Sequence, residues 1–459
     1  MTYKQVTPPS RAMDSFSNLQ SRTGLGSGSI ADGSSYQFSP VSRNRVQLEF
    51  AYRSSWTCGQ AIDLVAEDMT RAGIEINSEM EPTDIKRMQR EMIKMRIWER
   101  LGECVKWSRL YGGCIAVMLI DGQKTETPLN LDTVGVGQFK GLLILDRWLI
   151  QPSLEDLVTE YGENLGLPKY YTVLADAKAL INQKIHYSRV IRMEGINVPY
   201  WQKISENGWG ISLLERIWDR ITAFDSATEG MAQLVYKAHL RTVKIKGFRD
   251  IMATGGRALD GFLRSMEQIR QYQTNEGLTV LDAQDEFQSQ SYAFTGLPDV
   301  ILQLGQQLSG GTQIPLVRFF GQSPAGLNST GESDLRTYYD GVNVNQEKQL
   351  RCGVQLILEL TYRSLFGKAP ADLDFEFSSL WQKDDTEKAD ICSKITDAVL
   401  KAEESGLIRR GTALRELKQS SHITGVFSNI TDEEIAEADA MPPEPLESDN
   451  EEATKPRQD

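Results

Sequence analysis

From Ile211 to Leu240 the chain places apolar side chains at Leu214, Ile217, Ile221, Phe224, Met231, Val235 and Ala238, with Thr228 completing the series. The steps alternate between three and four residues, the spacing of one face of an α-helix. No proline interrupts the run. It predicts one unbroken helix of about 27 residues, roughly 40 Å long at 1.5 Å per residue. Glu215, Arg216, Asp219, Arg220, Asp225 and Glu229 fall on the other face. A narrow seam backed by mixed charge suits a helix packed on one side and wet on the other.

The segments before this helix have a different character. RSSWTCGQAIDLVAEDMTRAG reads as a helix with Ile62, Val65 and Met69 inward and Gly73 as its C-cap. A second long helix is predicted from Pro82 to Gly112-Gly113, with inward positions Ile85, Met88, Met92, Met95, Leu101 and Val105. Its methionines read as helix core rather than as an adaptable binding groove. CIAVMLID, GLLILD, KYYTVLAD and KIHYSRVIRMEG read as strands, completing an α+β unit that ends near residue 200.

Beyond the long helix, RTVKIKG, GGRALDGFLRSMEQIRQYQTNEG and GLTVLDAQDEFQSQSYAF predict a compact β-α-β insert over residues 241–294. LPDVILQLGQQL is the helix on its other side, and another long helix is expected from Glu332 to Phe366. A helical unit follows over about residues 384–420. The Ser/Gly/Arg-rich residues 1–45 predict a mobile arm. Residues 432–459 hold eleven acids against two bases, so −9 of the net −13 lies in a tail expected to be disordered.

The remaining body is close to neutral and lacks the basic stripe of a protein that grips DNA phosphates. Five cysteines without a CxxC pair and three histidines predict reduced thiols inside a cell, with no metal and no cofactor. No apolar run is long enough for a membrane span, and MTYKQVTPPSRAMDS has no secretory h-region.

Two motifs invite enzymatic readings. Gly326-x-x-x-x-Gly331-Glu332-Ser333 has the spacing of a phosphate-binding loop, but Glu332 stands where Lys must reach the phosphates. A hinged loop fits better, with Ser329 or Thr330 capping the helix that Glu332 begins. His186-Tyr187-Ser188 and His422-Ile423-Thr424 repeat the His-x-Ser/Thr pattern of two-histidine phosphoesterases. That chemistry needs each motif on a strand; His422 falls beside a predicted helix end, and His186 reads as a hydrogen-bonding residue at a strand edge.

Taken together, LEFAYRSSWTCGQAIDLVAEDMTRAGIEI, IHYSRVIRMEG and FFGQSPAGLNSTGESDLRTYYDGVNVNQEKQL resemble the portal proteins of tailed bacteriophages, over about residues 45–430. GLNSTGESD before a long helix is the most specific part. The resemblance implies a catalytically inactive ring of roughly twelve subunits at one capsid vertex. It passes double-stranded DNA during packaging and ejection. Implied partners are the terminase large subunit, the major capsid and scaffolding proteins, and a head–tail adaptor, with no membrane; the implied location is the virion, after assembly in the host cytoplasm.

The implied fold is α+β: an arm (1–45), a wing (46–210), a first stem helix (211–240), a clip (241–294) and a second stem helix (295–320). A tunnel-loop region (321–331), a spine helix (332–370), a helical crown (371–431) and the acidic tail (432–459) follow. On that plan Gly326, Asn328, Ser329, Thr330, Gly331 and Glu332 belong to the tunnel loop. Arg249, Arg257, Arg264 and Arg270 would dock partners at the clip, and Glu215, Asp219, Asp225 and Glu229 would face the channel. Some members of this group carry a fused phosphoesterase acting on cyclic-nucleotide defence signals; here an acidic tail stands in its place, so that activity is not expected. A non-specific DNA-binding virion protein is the other alternative, and it would need a basic surface.

Overall fold

The computed structural model describes residues 39–78, 80–177, 179–237, 242–244, 252–272, 286–288, 296–321, 331–368, 373–381, 385–427 and 429–440. They form two compact units, one reaching Ser378 and the other starting at Ser379. The fold class is α+β, as the two apolar periodicities predict.

The first unit opens with a 3-10 turn, Val41–Arg43, followed by α1 (Arg45–Ser54) and α2 (Trp56–Thr70). Asn44 and Ser55 cap these helices through Gln47 N and Cys58 N. The expected arm therefore ends earlier than residue 45. Ser42 is buried, its N–H donates to Glu215 Oε2 at 2.7 Å, and its Oγ accepts from Ser212 N at 2.8 Å. Residues 1–38 of that arm lie outside the described residues.

After β1 (Ile74–Asn77) the single long helix expected to Gly112 is two: α3 (Pro82–Lys94) and α4 (Ile97–Tyr111). The reason is phase. Met92 and Ile97 are both buried, yet five residues turn a straight helix by about 140°. Arg96, at φ 55, breaks the helix and lets both stripes face the core.

β2 (Gly113–Ile120) and β3 (Phe139–Asp146) pair antiparallel, Val117 opposite Leu143. β4 (Ile150–Pro152), β5 (Tyr170–Val173) and β6 (Lys184–His186) form a separate antiparallel sheet in that order. β7 (Val190–Glu194) returns to β2, giving the order β3-β2-β7. KIHYSRVIRMEG is thus two strands in two sheets, joined by the turn Tyr187–Arg189. Ile115, Val117, Leu145, Ile150, Tyr171 and Val173 bury together and fuse the sheets into one core around Trp209.

A short helix α5 (Tyr200–Ser205) leads to α6 (Leu213–Lys237), the helix announced by the seam. Its base is a close packing of backbone. Gly195 N donates to Gly112 O at 3.0 Å, and Ile196 bridges Ile211. A Cβ on Gly195 would lie 2.5 Å from Ile211 O and 2.7 Å from Gly112 Cα. The buried Arg147 ties this crossing to the sheet, donating to Tyr111 O at 3.1 Å, Gly210 O at 3.2 Å and Glu206 Oε2 at 3.0 Å.

Beyond α6 come β8 (Thr242–Lys244), α7 (Gly256–Tyr272) and β9 (Glu286–Gln288), with β8 and β9 antiparallel. α8 (Leu297–Thr312) and the short α9 (Leu316–Phe320) follow. The long helix expected from Glu332 to Phe366 bends into α10 (Glu332–Gln349) and α11 (Arg351–Phe366) at Leu350, φ −106°. The two halves seat on different surfaces. Gln346 Nε2 donates to Met69 O of α2 at 2.8 Å, whereas Gly353 sits so close to Ile191 of β7 that a Cβ would meet its Cγ2 at 2.7 Å.

β10 (Asp374–Phe377) pairs with β1, burying Ile74, Ile76, Phe375 and Phe377 on one face. The expected C-terminal boundary at 371 is therefore too early: β10 completes the first unit, because its apolar face has β1 as its partner.

The second unit contains α12 (Asp385–Glu404), α13 (Arg410–Thr424) and α14 (Asp432–Ala440). The last of these corrects the tail, expected to be disordered from 432. Thr431 N donates to Glu434 Oε2 at 2.9 Å while Glu434 N donates to Thr431 Oγ1 at 3.3 Å, a reciprocal capping box. Ile435 and Ala438 bury one face, and Asp439 pairs with Arg415. Residues 441–459 lie outside the described residues.

Candidate functional site

α6 and α8 flank the β8-α7-β9 insert and pack along one another. The absent side chain of Gly311 lets Ile217 approach: a Cβ there would lie 3.0 Å from Ile217 Cγ2. Farther along α6, a groove of about 400 Å³ lies between Ala227, Gly230 and Met231 and the facing Leu297, Val300 and Ile301.

The four acids expected to face a channel divide into two kinds. Glu215 accepts from Ser42 N, and Asp225 accepts from Ser55 Oγ at 2.8 Å and Thr57 Oγ1 at 3.3 Å. These two join α6 to the start of the first unit. Asp219 and Glu229 are exposed. Of the four arginines expected at the insert, Arg257 and Arg264 are exposed on α7. Arg270 lies on α7 with its side chain outside the described residues, as is the whole of Arg249.

The glycine-rich loop is described only at its end. Gly326, Asn328, Ser329 and Thr330 lie outside the described residues. Gly331 is the N-cap of α10 at φ 70, and the capping expected of Ser329 or Thr330 falls outside the described residues. Glu332 opens α10 and pairs with Arg336 at 2.7 Å. The last described element before the loop is the helix α9, where the phosphate-binding pattern calls for a strand.

Both flanks of this loop converge on Asp68, a fully buried carboxylate of α2. Before the loop, Arg318 of α9 donates from Nε and Nη2 to the two Asp68 oxygens, each at 3.1 Å. After it, Tyr338 of α10 donates to Asp68 Oδ2 at 2.8 Å. Arg71 adds a pair at 3.0 Å. The hydrogen bond to Asp68 raises the Arg318 pKa, so its charge is fixed. Burial, with the Asp68 charge beside it, keeps the Tyr338 hydroxyl protonated as a donor. Phe320 reinforces the same junction, packing on Trp56 of α2 and Phe224 of α6 at centroid distances of 5.6 and 5.5 Å. None of Asp68, Arg318 and Tyr338 was singled out by sequence reasoning. The available signal was an acid three residues after Val65 and next to Met69, inside the apolar stripe of α2.

The histidine motifs do not form a pair of strand-borne His-x-Ser/Thr sites. His422 lies in α13, a helix. His186 ends β6 and is buried. Ser188 N donates to its Nδ1 at 3.3 Å, which places the ring proton on Nε2. Ser188 Oγ lies 2.9 Å from the same nitrogen and accepts from Leu129 N at 2.8 Å. Burial first, then Lys169 and Arg189, lower the His186 pKa, against a smaller opposing effect of Glu160. A base with a depressed folded pKa leaves the unfolded chain to take up the proton first. The folded state should therefore lose stability as pH falls below about 6.5. His186→Asn, whose Oδ1 can accept from Ser188 N, should reduce that loss. The check is the urea midpoint at about pH 7.5 and about pH 5.5; an equal drop in both proteins would exclude His186 as its source.

A model of the phage portal protein family matches residues 46–401, spanning the core, both packed helices and most of α12. The chain belongs to the phage portal protein family. An uncharacterized protein of Haemophilus influenzae is 26% identical over 85% of this chain and 86% of its own length. Two relatives, from Caulobacter sp. and Sphingomonas paeninsulae, are named Anti-CBASS protein Acb1 and are 27% and 25% identical. They match 83% and 86% of this chain, which spans only 61% and 63% of their length. Among solved structures, a chain from the neck of a native GTA (gene transfer agent) particle, computed with C12 symmetry, superposes with a TM-score of 0.51. It is 11% identical over 82% of this portal-family chain and 93% of its own. A chain from the neck of the empty particle gives 0.51 at 12% identity, over 77% and 89%. These similarities establish a shared fold.

Proposed function

We propose that this portal-family chain forms a closed ring, most simply twelvefold, at one vertex of a phage capsid, and that double-stranded DNA passes through it during packaging and ejection. The observation that carries the reading is that α6 and α8 pack along one another and, in chain order, flank the β8-α7-β9 insert. On this reading the core is the wing, α6 and α8 the stem, the insert the clip, α10–α11 the spine and the second unit the crown. The chain does no chemistry of its own; it holds a channel. Asp219 and Glu229, exposed on α6, are the acids that would repel DNA phosphates and keep the duplex sliding. Electron-microscopy class averages of the purified protein test the reading: rings with a central hole are expected, and a compact monomer would sink it.

The clip is proposed to dock the packaging motor and later the head–tail adaptor. Arg257→Glu with Arg264→Glu should weaken binding to the terminase large subunit or the adaptor at least about tenfold while rings still form. Unchanged binding to both partners would remove these arginines from the interface. The loop ending at Gly331 is proposed to face the channel, with Gly326 and Gly331 as its hinges. Gly326→Val with Gly331→Val should leave ring assembly intact and reduce DNA retention; unchanged retention would refute the hinge role.

A further inference from the structure

The β4–β5 connection is a hairpin whose tip, residues 159–166, is exposed throughout. Its stalk is held by Ser153 N to Tyr170 O at 2.8 Å, Lys169 N to Asp156 O at 2.8 Å and Val158 N to Leu167 O at 2.9 Å. At the tip the Tyr161 side chain is 99% exposed, with Leu165 beside it at 51%. Glu155 and Glu160 lie exposed on the same hairpin with no side-chain partner among the described residues, while Glu163 at the tip accepts from Cys352 Sγ of α11 at 3.5 Å. A rigid aromatic ring held in water on a hairpin that also carries the exposed Glu155 and Glu160 is an anchor without its socket.

The same chain carries a surface of the opposite kind. A cleft of about 770 Å³ opens between the end of β2 and the β5–β6 turn. Its floor is apolar, from Met118 to Ile120 with Leu180, and Lys124, Lys140 and Lys184 stand around it against Asp121 and Glu126. Lys140 lies 4.0 Å from Asp121, while Lys124 and Lys184 are exposed with no side-chain partner among the described residues. Leu180 and Asn182 hold φ angles of 55° and 58°, so this wall has a preset shape.

The hairpin cannot fill its own cleft. Tyr170 pairs with His186 and Thr172 with Lys184, so the hairpin leaves β5 at its Tyr170 end and the cleft wall follows its Val173 end. Two unlike, charge-complementary patches at opposite ends of one sheet fit a head-to-tail contact between copies, the kind that closes into a ring.

We infer that the acidic hairpin tip of one copy seats in the lysine-rimmed cleft of the next, with Tyr161 over the Met118–Ile120 floor. This inference rests on the ring reading and names the contact that closes it. The test uses the full chain and native mass spectrometry over a concentration series, with circular dichroism to establish folding. Glu155→Lys with Glu160→Lys reverses the hairpin, and Lys124→Glu with Lys184→Glu reverses the cleft. Either change alone should raise the half-assembly concentration at least about tenfold, and the four changes combined should restore it. An equimolar mixture of the two single-surface variants should assemble as well, by alternating around the ring. Tyr161→Ala should weaken assembly with charge unaltered. If wild type forms rings and the single-surface variants do too, or if the combined variant does not recover, the contact is wrong. If wild type is itself monomeric, the ring reading fails instead.

Discussion

Asp68→Ala is expected to lower the unfolding free energy of the first unit by about 3 kcal/mol, among the largest effects of any polar substitution in this chain. The carboxylate is fully buried and accepts from Arg318 twice and from Tyr338 once. Removing it leaves the Tyr338 hydroxyl buried without a partner and Arg318 without its counter-charge. Arg318 remains 32% exposed, so water relieves part of that loss and the cost stays below that of a fully enclosed ion. A contrast separates the network from mere packing. Asp68→Leu combined with Arg318→Met and Tyr338→Phe removes the more buried partners together and leaves only Arg71, 41% exposed and open to water, so most of the stability should be recovered. Urea unfolding at constant m-value measures both. An Asp68→Ala protein within about 1 kcal/mol of wild type would show that the network adds little. The expected consequence extends past stability: α9 and α10 lose the group that fixes the two flanks of the glycine-rich loop, so protease cleavage between residues 321 and 331 should accelerate.

Gly195→Ala is the second large effect, expected to cost about 3 kcal/mol or more. The new Cβ would meet Ile211 O at 2.5 Å, Gly112 Cα at 2.7 Å and Ser108 O at 2.7 Å, all backbone atoms. No rotamer change relieves such a clash. Either the crossing opens and the Gly195 N–H to Gly112 O bond is lost, or α6 shifts at its base. The same substitution at Gly230, inside α6 with nothing within 4 Å of its Cβ, should instead stabilise by about 1 kcal/mol through helix propensity. Opposite signs for one chemical change would isolate close approach as the cause. Equal small shifts in melting temperature would refute it.

The local periodicities were legible in the sequence because they depend only on each element's own geometry. The seam from Leu214 to Met231 gives α6, and the apolar run of CIAVMLI gives β2. The family was legible too, through GLNSTGESD and the segments around it. Capping chemistry could have been read and was not: Thr431 and Glu434 spell a helix start inside a tail whose charge suggested disorder.

What the sequence could not decide is where one stripe of side chains must turn to meet a second surface. Arg96 and Leu350 interrupt periodic runs because the two halves of each run dock on different partners, a fact of assembly rather than propensity. The pairing of β1 with β10 joins segments about 300 residues apart, and no local pattern encodes which strand completes which sheet. The same holds for Asp68. An acid on an apolar stripe signals only that something must satisfy it. That Arg318 and Tyr338 do so, one on each side of the loop, was set by the packing of α9 and α10 against α2, which leaves a buried charge no water and therefore requires these partners.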